Sequence, residues 1–585
     1  MSTPAQNAMP STRGTNFYLA DGNLERLCAV VMDGETFARA RPHLIAMGEV
    51  AGGELDALAH DADKSPPVLR QWDERGERVD EVLFHPSYRR METLAFGRFG
   101  LAAMSHRQGV LGWPGPVPHV VKYALSYLFA QSEFGLLCPV NMTDSGARML
   151  RHYGSEELRA RYLDRLTATD MAALCQGTQW MTEKTGGSDV GAATTVARRD
   201  ADGAWRLWGD KWFCSNASAD IAFTLARPEG APPGTAGLAM FLVPKVLPDG
   251  TRNALTLNRL KDKFGSRSMA SAEVTYAGAV AYPVGDLARG FKQMMEMVNV
   301  SRLSNAMRSA ALMRRALHEA LTHARARVAF GRPLAELPLL RAQLVQMVAD
   351  TEAAASVVLH GASTLDRWDA GATEARALFR ITTPLAKYWI TQHARLVTAE
   401  AMNVRGGNGY IEEWVNARLV RDSYLGAIWE GASNVVALDV QRAVLREAAH
   451  EPLLAFAGDR LRRVNEPAAK PWVDVTLDGL ESVRRRVAGW PALPATDREL
   501  EARPVADTLY HLLAASLLLS EGQTLLEARG DAHTLLTGAL YLRRWLVPRD
   551  PTTPAFGARE IEWLDALADW TPVPLSALEV VPGAR

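Results

Sequence analysis

Apolar residues recur at helical spacing from residue 17 to about residue 170, in stretches such as 88–99 and 120–137. Pro- and Gly-rich punctuation (Trp113-Pro114-Gly115-Pro116) separates them, and the pattern predicts a mainly helical segment. Between 173 and 286 the rhythm changes. Short runs rich in Val, Thr, Phe and Trp alternate with Asp202-Gly203, Pro232-Pro233-Gly234 and Asp249-Gly250, which predicts strands joined by tight turns. The helical period returns over 287–447, where Leu340, Leu344, Met347, Ala354 and Val358 form one buried stripe. Pro384 in the following run should kink a helix rather than end it. The last segment, 448–585, is broken at 466–471, 490–494 and 548–554, and its strongest amphipathic run is 505–528. The expected fold class is α+β, mainly α. Its parts are an N-terminal helical domain (1–172), a middle β domain (173–286), a C-terminal helical bundle (287–447) and a helical C-terminal extension (448–585).

Charge narrows the function classes. With 65 Lys and Arg against 66 Asp and Glu, the net of -1 gives no bulk attraction to nucleic acid or an anionic membrane. The 448–585 extension carries 16 basic and 20 acidic residues if Arg446 and Glu447 are counted with it, a net of -4. It is expected to be a docking or oligomerisation element. The polar stretch 1–16 is expected to be neither a signal peptide nor an Arg-rich transit peptide, and no apolar run approaches the roughly 18 residues that span a bilayer. Cys28, Cys138, Cys175 and Cys214 are separated by 110, 37 and 39 residues, which is neither a disulfide framework nor a zinc arrangement. A cytoplasmic location is expected. No HExxH, phosphate loop or GxSxG elbow occurs, so no metal site is expected. Gly406-Gly407-Asn408-Gly409 follows a helical run, unlike a dinucleotide fingerprint.

Three stretches could carry chemistry. Met181-Thr182-Glu183-Lys184-Thr185-Gly186-Gly187-Ser188-Asp189-Val190 mixes hydroxyls with glycines, so open backbone could hydrogen-bond a flat cofactor or a phosphate. A polar turn would read the same. Lys211-Trp212-Phe213-Cys214-Ser215-Asn216 puts aromatics and a hydroxyl at a strand end, where a ring could cover a planar group or simply fill a sheet core. Trp429-Glu430-Gly431 sets a carboxylate in apolar surroundings, as a general base of raised pKa would be, though a surface Glu near a helix start fits as well.

Their order and spacing carry a resemblance. The chain resembles the acyl-CoA dehydrogenase family of flavoproteins over roughly 15–447. The family's T-E-x-x-x-G-S-D pattern is matched by Thr182-Glu183 through Gly187-Ser188-Asp189, and its R-x-x-F-G by Arg327 through Phe330-Gly331. Its GGxG is matched by Gly406–Gly409 and its late aromatic-E-G by Trp429-Glu430-Gly431. The resemblance implies FAD as cofactor, an acyl-CoA-like substrate, an unidentified electron acceptor, and a homodimer or homotetramer. Thr182 would bond the flavin pyrimidine edge, with Met181 packed beside the ring. Ser188 would face the cofactor or the CoA phosphates, Phe213 would cover the flavin, and Ser215 would lie near flavin N5. Arg327, with Phe330 in its motif, would hold the FAD diphosphate across a subunit interface. Gly406 and Gly407 would admit the neighbouring FAD, Asn434 would contact FAD, Arg302 would meet substrate, and Glu430 would be the catalytic base.

This chain departs from the family at three positions. Asn403 stands for a Gln, Ala432 for a hydroxyl residue, and Asn299 for the acid of a substrate D-x-x-R that ends in Arg302. A closer likeness, carried by 16–22, 78–86, 181–190, 211–215 and 428–434, is to a bacterial alkylation-response branch of the family. That branch has weak dehydrogenase activity and a C-terminal DNA-binding region. Two functions follow: dehydrogenation of an acyl-CoA with Glu430 as base, or DNA association. The acidic extension, in which Arg484-Arg485-Arg486 is the only basic cluster, disfavours DNA, whose binding needs basic surface.

Overall fold

The computed structural model describes residues 9–581. The chain forms two compact units, each drawn from separated segments. The first takes in the chain up to Gly53, His119–Ser132 and Asn305 onward; the second takes in Glu54–Pro118 and Glu133–Ser304.

In chain order the helices begin with α1 (Gly22–Val31), α2 (Gly34–Val50), α3 (Asp56–Lys64), α4 (Pro86–Glu92), α5 (His119–Ala130), α6 (Leu137–Tyr153) and α7 (Glu156–Leu166). After the sheet come α8 (Gly290–Ala326), α9 (Pro338–Asp369), α10 (Thr373–Arg405), α11 (Gly407–Tyr410), α12 (Val415–Gly426) and α13 (Ser433–Glu447). The extension adds α14 (His450–Leu461), α15 (Lys470–Ala488), α16 (Ala495–Leu500), α17 (Ala502–Arg529) and α18 (His533–Trp545).

The second unit holds a seven-stranded sheet of β3 (Gly177–Trp180), β4 (Val196–Arg199), β5 (Trp205–Ser215), β6 (Ile221–Pro228), β7 (Ala239–Pro244), β8 (Leu255–Leu260) and β9 (Ser271–Pro283). Pairings β6–β4, β4–β5, β5–β9, β9–β7 and β7–β6 close on themselves. This is a small barrel without an open edge along that circuit. Leu207, Cys214, Phe241, Leu257, Val274 and Tyr276 fill it.

An antiparallel hairpin of β1 (Val68–Trp72) and β2 (Arg78–Leu83) interrupts the expected helical segment. Its turn is closed by Asp73, whose carboxylate accepts from the Arg75 and Glu77 amides at 2.9 and 2.8 Å. The apolar run 120–137 also divides. α5 stops at Ala130, and Glu133 accepts from the Leu136 amide at 2.9 Å at the head of α6.

In the first unit α9 and α10 pack on one another, and α10 runs through Pro384 without ending. The expected stripe on α9 is buried at Leu344, Met347, Ala354 and Val358, and half-buried at Leu340. The extension is part of the same unit. α17 packs against α9, α10, α13, α14 and α15, and is buried without a break from Leu509 to Gln523. Burial of that length on all faces marks a core helix.

The contact between the extension and the bundle is aromatic and polar. The Trp389 ring stacks on His393 and Tyr510 at centroid distances of 4.3 and 4.4 Å. Asp350 of α9 joins His393 Nε2 and receives Trp545 Nε1, each at 2.7 Å. Glu521 of α17 bonds His360 Nε2 and accepts from Ser356 Oγ, each at 2.8 Å. Buried polar groups partnered in this way fix a unique packing. The four cysteines are free and buried. Among the described residues no helix is long and apolar enough to cross a membrane, and no group of His, Cys, Asp or Glu could hold a metal ion.

Candidate functional site

The chemistry-bearing residues fall in both units. In the second unit, β3 ends at Trp180 and the chain passes through Met181 and Thr182 beside β5, where the Trp212 amide donates to the Thr182 carbonyl at 2.9 Å. The next residue turns inward. Glu183 is 3% exposed and meets Lys211 Nζ at 2.7 Å. It also accepts from the amides and hydroxyls of Thr194 and Thr195 at 2.6 to 3.2 Å. Burial pushes the carboxyl pKa up, but the Lys211 cation and these donors outweigh it and hold it at about 2. The Lys211 ammonium is itself fully buried, with its pKa lowered by burial, and also donates to the Leu225 carbonyl at 2.9 Å.

Thr182, one residue before this inward lock, is half-buried beside Gly187, and its hydroxyl has no partner among the described residues. Register shifts in β5 between Lys211 and Cys214, and such a bulge re-aims side chains. Phe213 points away from the barrel and is 55% exposed. The Ser215 carbonyl is fixed by Thr178 Oγ1 at 2.7 Å and Trp180 Nε1 at 3.0 Å, leaving the Ser215 hydroxyl 3.5 Å from Ser271 Oγ. Met181 Sδ receives Gln179 Nε2 at 2.6 Å, and Ser188 is exposed in the loop that follows. The structure thus gathers Met181, Thr182, Phe213 and Ser215 where β3 and β5 end. Arg302, also in this unit, is buried and donates to Asn299 Oδ1 at 3.2 Å. The amide standing for an acid therefore still pairs with its arginine.

In the first unit, Glu430 lies in the loop between α12 and α13 and is half-buried, with φ +56°; Gly431 follows at +99°. A left-handed glutamate is uncommon and costs backbone energy. Lys387 on α10, itself buried, donates to the Gly431 carbonyl. The Arg308 guanidinium lies 4.7 Å from the centre of the Trp429 ring. Asn434 follows in the first turn of α13, exposed, with Oδ1 accepting from Arg503 at 3.2 Å.

Elsewhere in this unit, β10 (Val328–Ala329) and β11 (Arg332–Pro333) form a hairpin whose two central residues, Phe330 and Gly331, have φ +52° and +80°. Positive φ at both positions is the demand of a tight primed turn, and it lifts Phe330 to 89% exposure. Arg327, just before the hairpin, is exposed, and its guanidinium has no partner among the described residues. Gly406 ends α10 at φ +67°, and a Cβ added there or at Gly407 would meet nothing within 4 Å. Backbone at the Gly406-Gly407 corner is open to close approach.

These residues suit the flavin dinucleotide that the resemblance implies. The β3–β5 surface offers an exposed aromatic ring and hydroxyls, and Glu183 is turned away so that it presents no negative charge. Arg327 offers an unpartnered guanidinium of the kind that pairs phosphate oxygens. Sequence reasoning missed Lys211 as a partner of Glu183, and missed Lys387, Arg308 and Arg503 altogether. Lys211 lay inside a quoted motif, and Lys387 interrupts an apolar run of α10, a readable signal. Arg503 carried none.

Residues 7–172 match the family described as Adaptive response protein AidB N-terminal domain. Residues 178–278 match the acyl-CoA dehydrogenase middle domain, and 288–445 its C-terminal domain. The chain is 36% identical over 457 residues to the putative acyl-CoA dehydrogenase AidB of Escherichia coli (strain K12), covering 76% of this chain and 80% of that protein. It is similar to the structure of Caenorhabditis elegans ACDH-11 in complex with C11-CoA, with TM-score 0.85 and 26% identity over 96% of this chain and 95% of that one. It shares its fold with an acyl-CoA dehydrogenase complexed with FAD from Bacillus anthracis, at 17% identity and TM-score 0.70, over 98% of each chain.

Proposed function

This chain belongs to the acyl-CoA dehydrogenase family, whose members bind FAD, and from that premise we propose that it oxidises an acyl-CoA thioester between its α and β carbons. Glu430 is the base. The observation that carries this reading is the loop between α12 and α13, where Glu430 and Gly431 hold left-handed backbone braced by Lys387. Strain of that kind persists only where surroundings enforce it, and it concentrates at functional sites.

In this reading Glu430 removes the α-proton, which the thioester carbonyl acidifies. A positioned carboxylate contributes about 10²–10⁴-fold to such a step. When bound, FAD supplies the acceptor for the β-hydride. The acyl chain loses a proton and a hydride, the product is a trans-2-enoyl-CoA, and a separate electron acceptor takes the two electrons onward. Thr182, Met181, Phe213 and Ser215 hold the ring system, and Ser188 the edge of the site. Arg327 and Phe330, Gly406 and Gly407, and Asn434 hold the remainder of the dinucleotide, with Arg327 acting across a subunit interface in a dimer or tetramer. Arg302 meets the substrate. The C11-CoA held by the nematode neighbour supports an acyl-CoA as the ligand class. The segments 1–172, 173–286, 287–447 and 448–585 remain the proposed functional divisions. A reducing, cytoplasmic setting suits four free buried thiols.

The DNA-associated reading has less behind it. Arg484 pairs with Glu451 and Glu481, and Arg486 with Glu501, so two of the three clustered arginines already face carboxylates. The test is anaerobic titration of the purified flavoprotein with acyl-CoAs of graded length and branching, following loss of flavin absorbance. Reduction by one class names the substrate. Glu430→Gln keeps the side-chain shape without a proton acceptor, so it should retain FAD and lose reduction. A variant reduced as fast as wild type would remove Glu430 from the role of base.

A further inference from the structure

The C-terminal extension reaches the candidate catalytic loop through one side chain. Arg503, in the first turn of α17, spreads its guanidinium over three acceptors: Asn434 Oδ1 at 3.2 Å, Gln392 Oε1 at 2.9 Å and the Tyr388 hydroxyl at 3.2 Å. Tyr388 and Gln392 lie on α10, and Lys387, one residue before Tyr388, is the cation that donates to the Gly431 carbonyl. Asp507, one turn on from Arg503, is a neighbour of both Tyr388 and Arg503. Residues 431–434 are therefore held at both ends, by Lys387 of α10 at Gly431 and by Arg503 of α17, itself bonded to α10, at Asn434.

We infer that Arg503 is a positioning residue for the reaction: by fixing the head of α13 it sets the backbone from which Glu430 projects, so the extension helps to build the active loop. This inference rests on Glu430 being the base. The chemistry of the clamp is specific. A guanidinium only donates, so Asn434 must turn its oxygen toward Arg503, which leaves the Asn434 amide nitrogen free to donate elsewhere. Ala432, the capping position of α13, supplies no side-chain hydrogen bond, so the Arg503–Asn434 bond holds the head of the helix from outside. Arg503 is exposed, and its partners at Asn434 and Gln392 lie at the surface. Its replacement should therefore not unfold α17, which is anchored by the continuously buried stretch from Leu509 to Gln523 beyond its first turn.

The test compares wild type, Arg503→Ala, Arg503→Lys and Glu430→Gln as full-length holoenzymes. Two measurements are made: hydrogen exchange of peptides covering 428–436, and the rate constant of flavin reduction at saturating acyl-CoA. Arg503→Ala should speed exchange in 431–436 while leaving the interior of α10 and α17 unchanged. It should slow reduction about tenfold or more, as loss of a near-attack geometry does, with the acyl-CoA concentration at half-saturation little changed. Arg503→Lys, a single point donor in place of a fork, should recover only part of both. Unchanged exchange would overturn the inference, as would wild-type reduction by Arg503→Ala beside an inactive Glu430→Gln. If Glu430→Gln reduces normally, or no acyl-CoA reduces wild type, the reading of Glu430 fails and the positioning role falls with it. Exchange alone then reports whether Arg503 holds the loop.

Discussion

Replacing Lys211 with Met should destabilise the barrel of the second unit by about 3–5 kcal/mol, the usual cost of removing one partner of a buried ion pair. The electrostatics of Glu183, to which Lys211 and the threonine donors both contribute, point the same way. Glu183 titrates at about 2 rather than 4.5, and a shift of that size corresponds to roughly 3 kcal/mol favouring the charged form. Both side chains are out of solvent, at 0% and 2% exposure, so solvent screening removes little of it. Lys211→Met leaves the Glu183 carboxylate with its threonine donors but no counter-charge, and the Leu225 carbonyl with no ammonium.

Hydrogen exchange at the amides of β5 and β6 reads this locally in a chain of two units, where one global unfolding energy would not be defined. Acceleration should be roughly a hundred- to several-thousand-fold. The double variant Lys211→Met with Glu183→Gln should recover most of the loss, since no uncompensated charge remains. The pH dependence has a definite sign. In wild type Glu183 is depressed, so its stabilisation is present above pH 4.5 and is lost as pH falls toward about 2. In Lys211→Met the buried carboxyl loses its cation and takes a proton more readily, so the deficit should narrow on acidification. Acceleration below tenfold, or a double variant as labile as the single one, would refute the argument.

Arg327→Ala should weaken FAD retention and loosen the oligomer; flavin absorbance after gel filtration and the eluted mass check both, and an unchanged yellow oligomer counts against the assignment. Replacing Arg484, Arg485 and Arg486 together with Ala should leave duplex DNA affinity unchanged at every salt concentration, and salt-sensitive binding that this variant abolishes would restore the DNA reading. His511 is held neutral by burial, its pKa lowered to about 3, so stability of the first unit should fall as pH drops from the ordinary histidine value near 6.5 toward 3. His511→Gln should make that slope shallower, His318 and His533 of the same unit being held neutral by burial as well, in acid denaturation followed by near-ultraviolet circular dichroism.

The sequence was legible where chemistry and local pattern coincide. The change from helical period to turn-punctuated strands at 173–286 marked the sheet, and Thr182, Phe213 and Ser215 stand together where β3 and β5 end. Glu430 lies three residues before α13, near a helix start as one reading of Trp429-Glu430-Gly431 had it, and is half-buried. Less was legible where position depends on a distant partner. The β1–β2 hairpin was hidden in a mainly helical stretch, although Val79, Glu81 and Leu83 alternate with Arg78, Asp80 and Val82 on the two faces of its second strand. The extension read as amphipathic, yet the uninterrupted burial of α17 from Leu509 to Gln523 places it inside the unit rather than on it. Leu517-Leu518-Leu519 within a helix already implied contact on more than one face.

The deeper gap concerns buried lysines. Lys211 and Lys387 are both at 0% exposure, where an ammonium is costly unless it finds a partner. Each finds it next to a motif rather than in one of the motif's ligand positions: Lys211 on Glu183, beside Thr182, and Lys387 on Gly431, beside Glu430. A motif names residues that meet ligand, while these cations fix the backbone from which such residues project. Their partners lie 28 and 44 residues away, so no window of local pattern can connect them. The pairing is nonetheless required of a buried lysine, because a buried cation without an acceptor would destabilise the fold. A lysine within an apolar run of a core helix, as Lys387 is in α10, is thus a legible request for a partner, even though the sequence does not say where that partner lies.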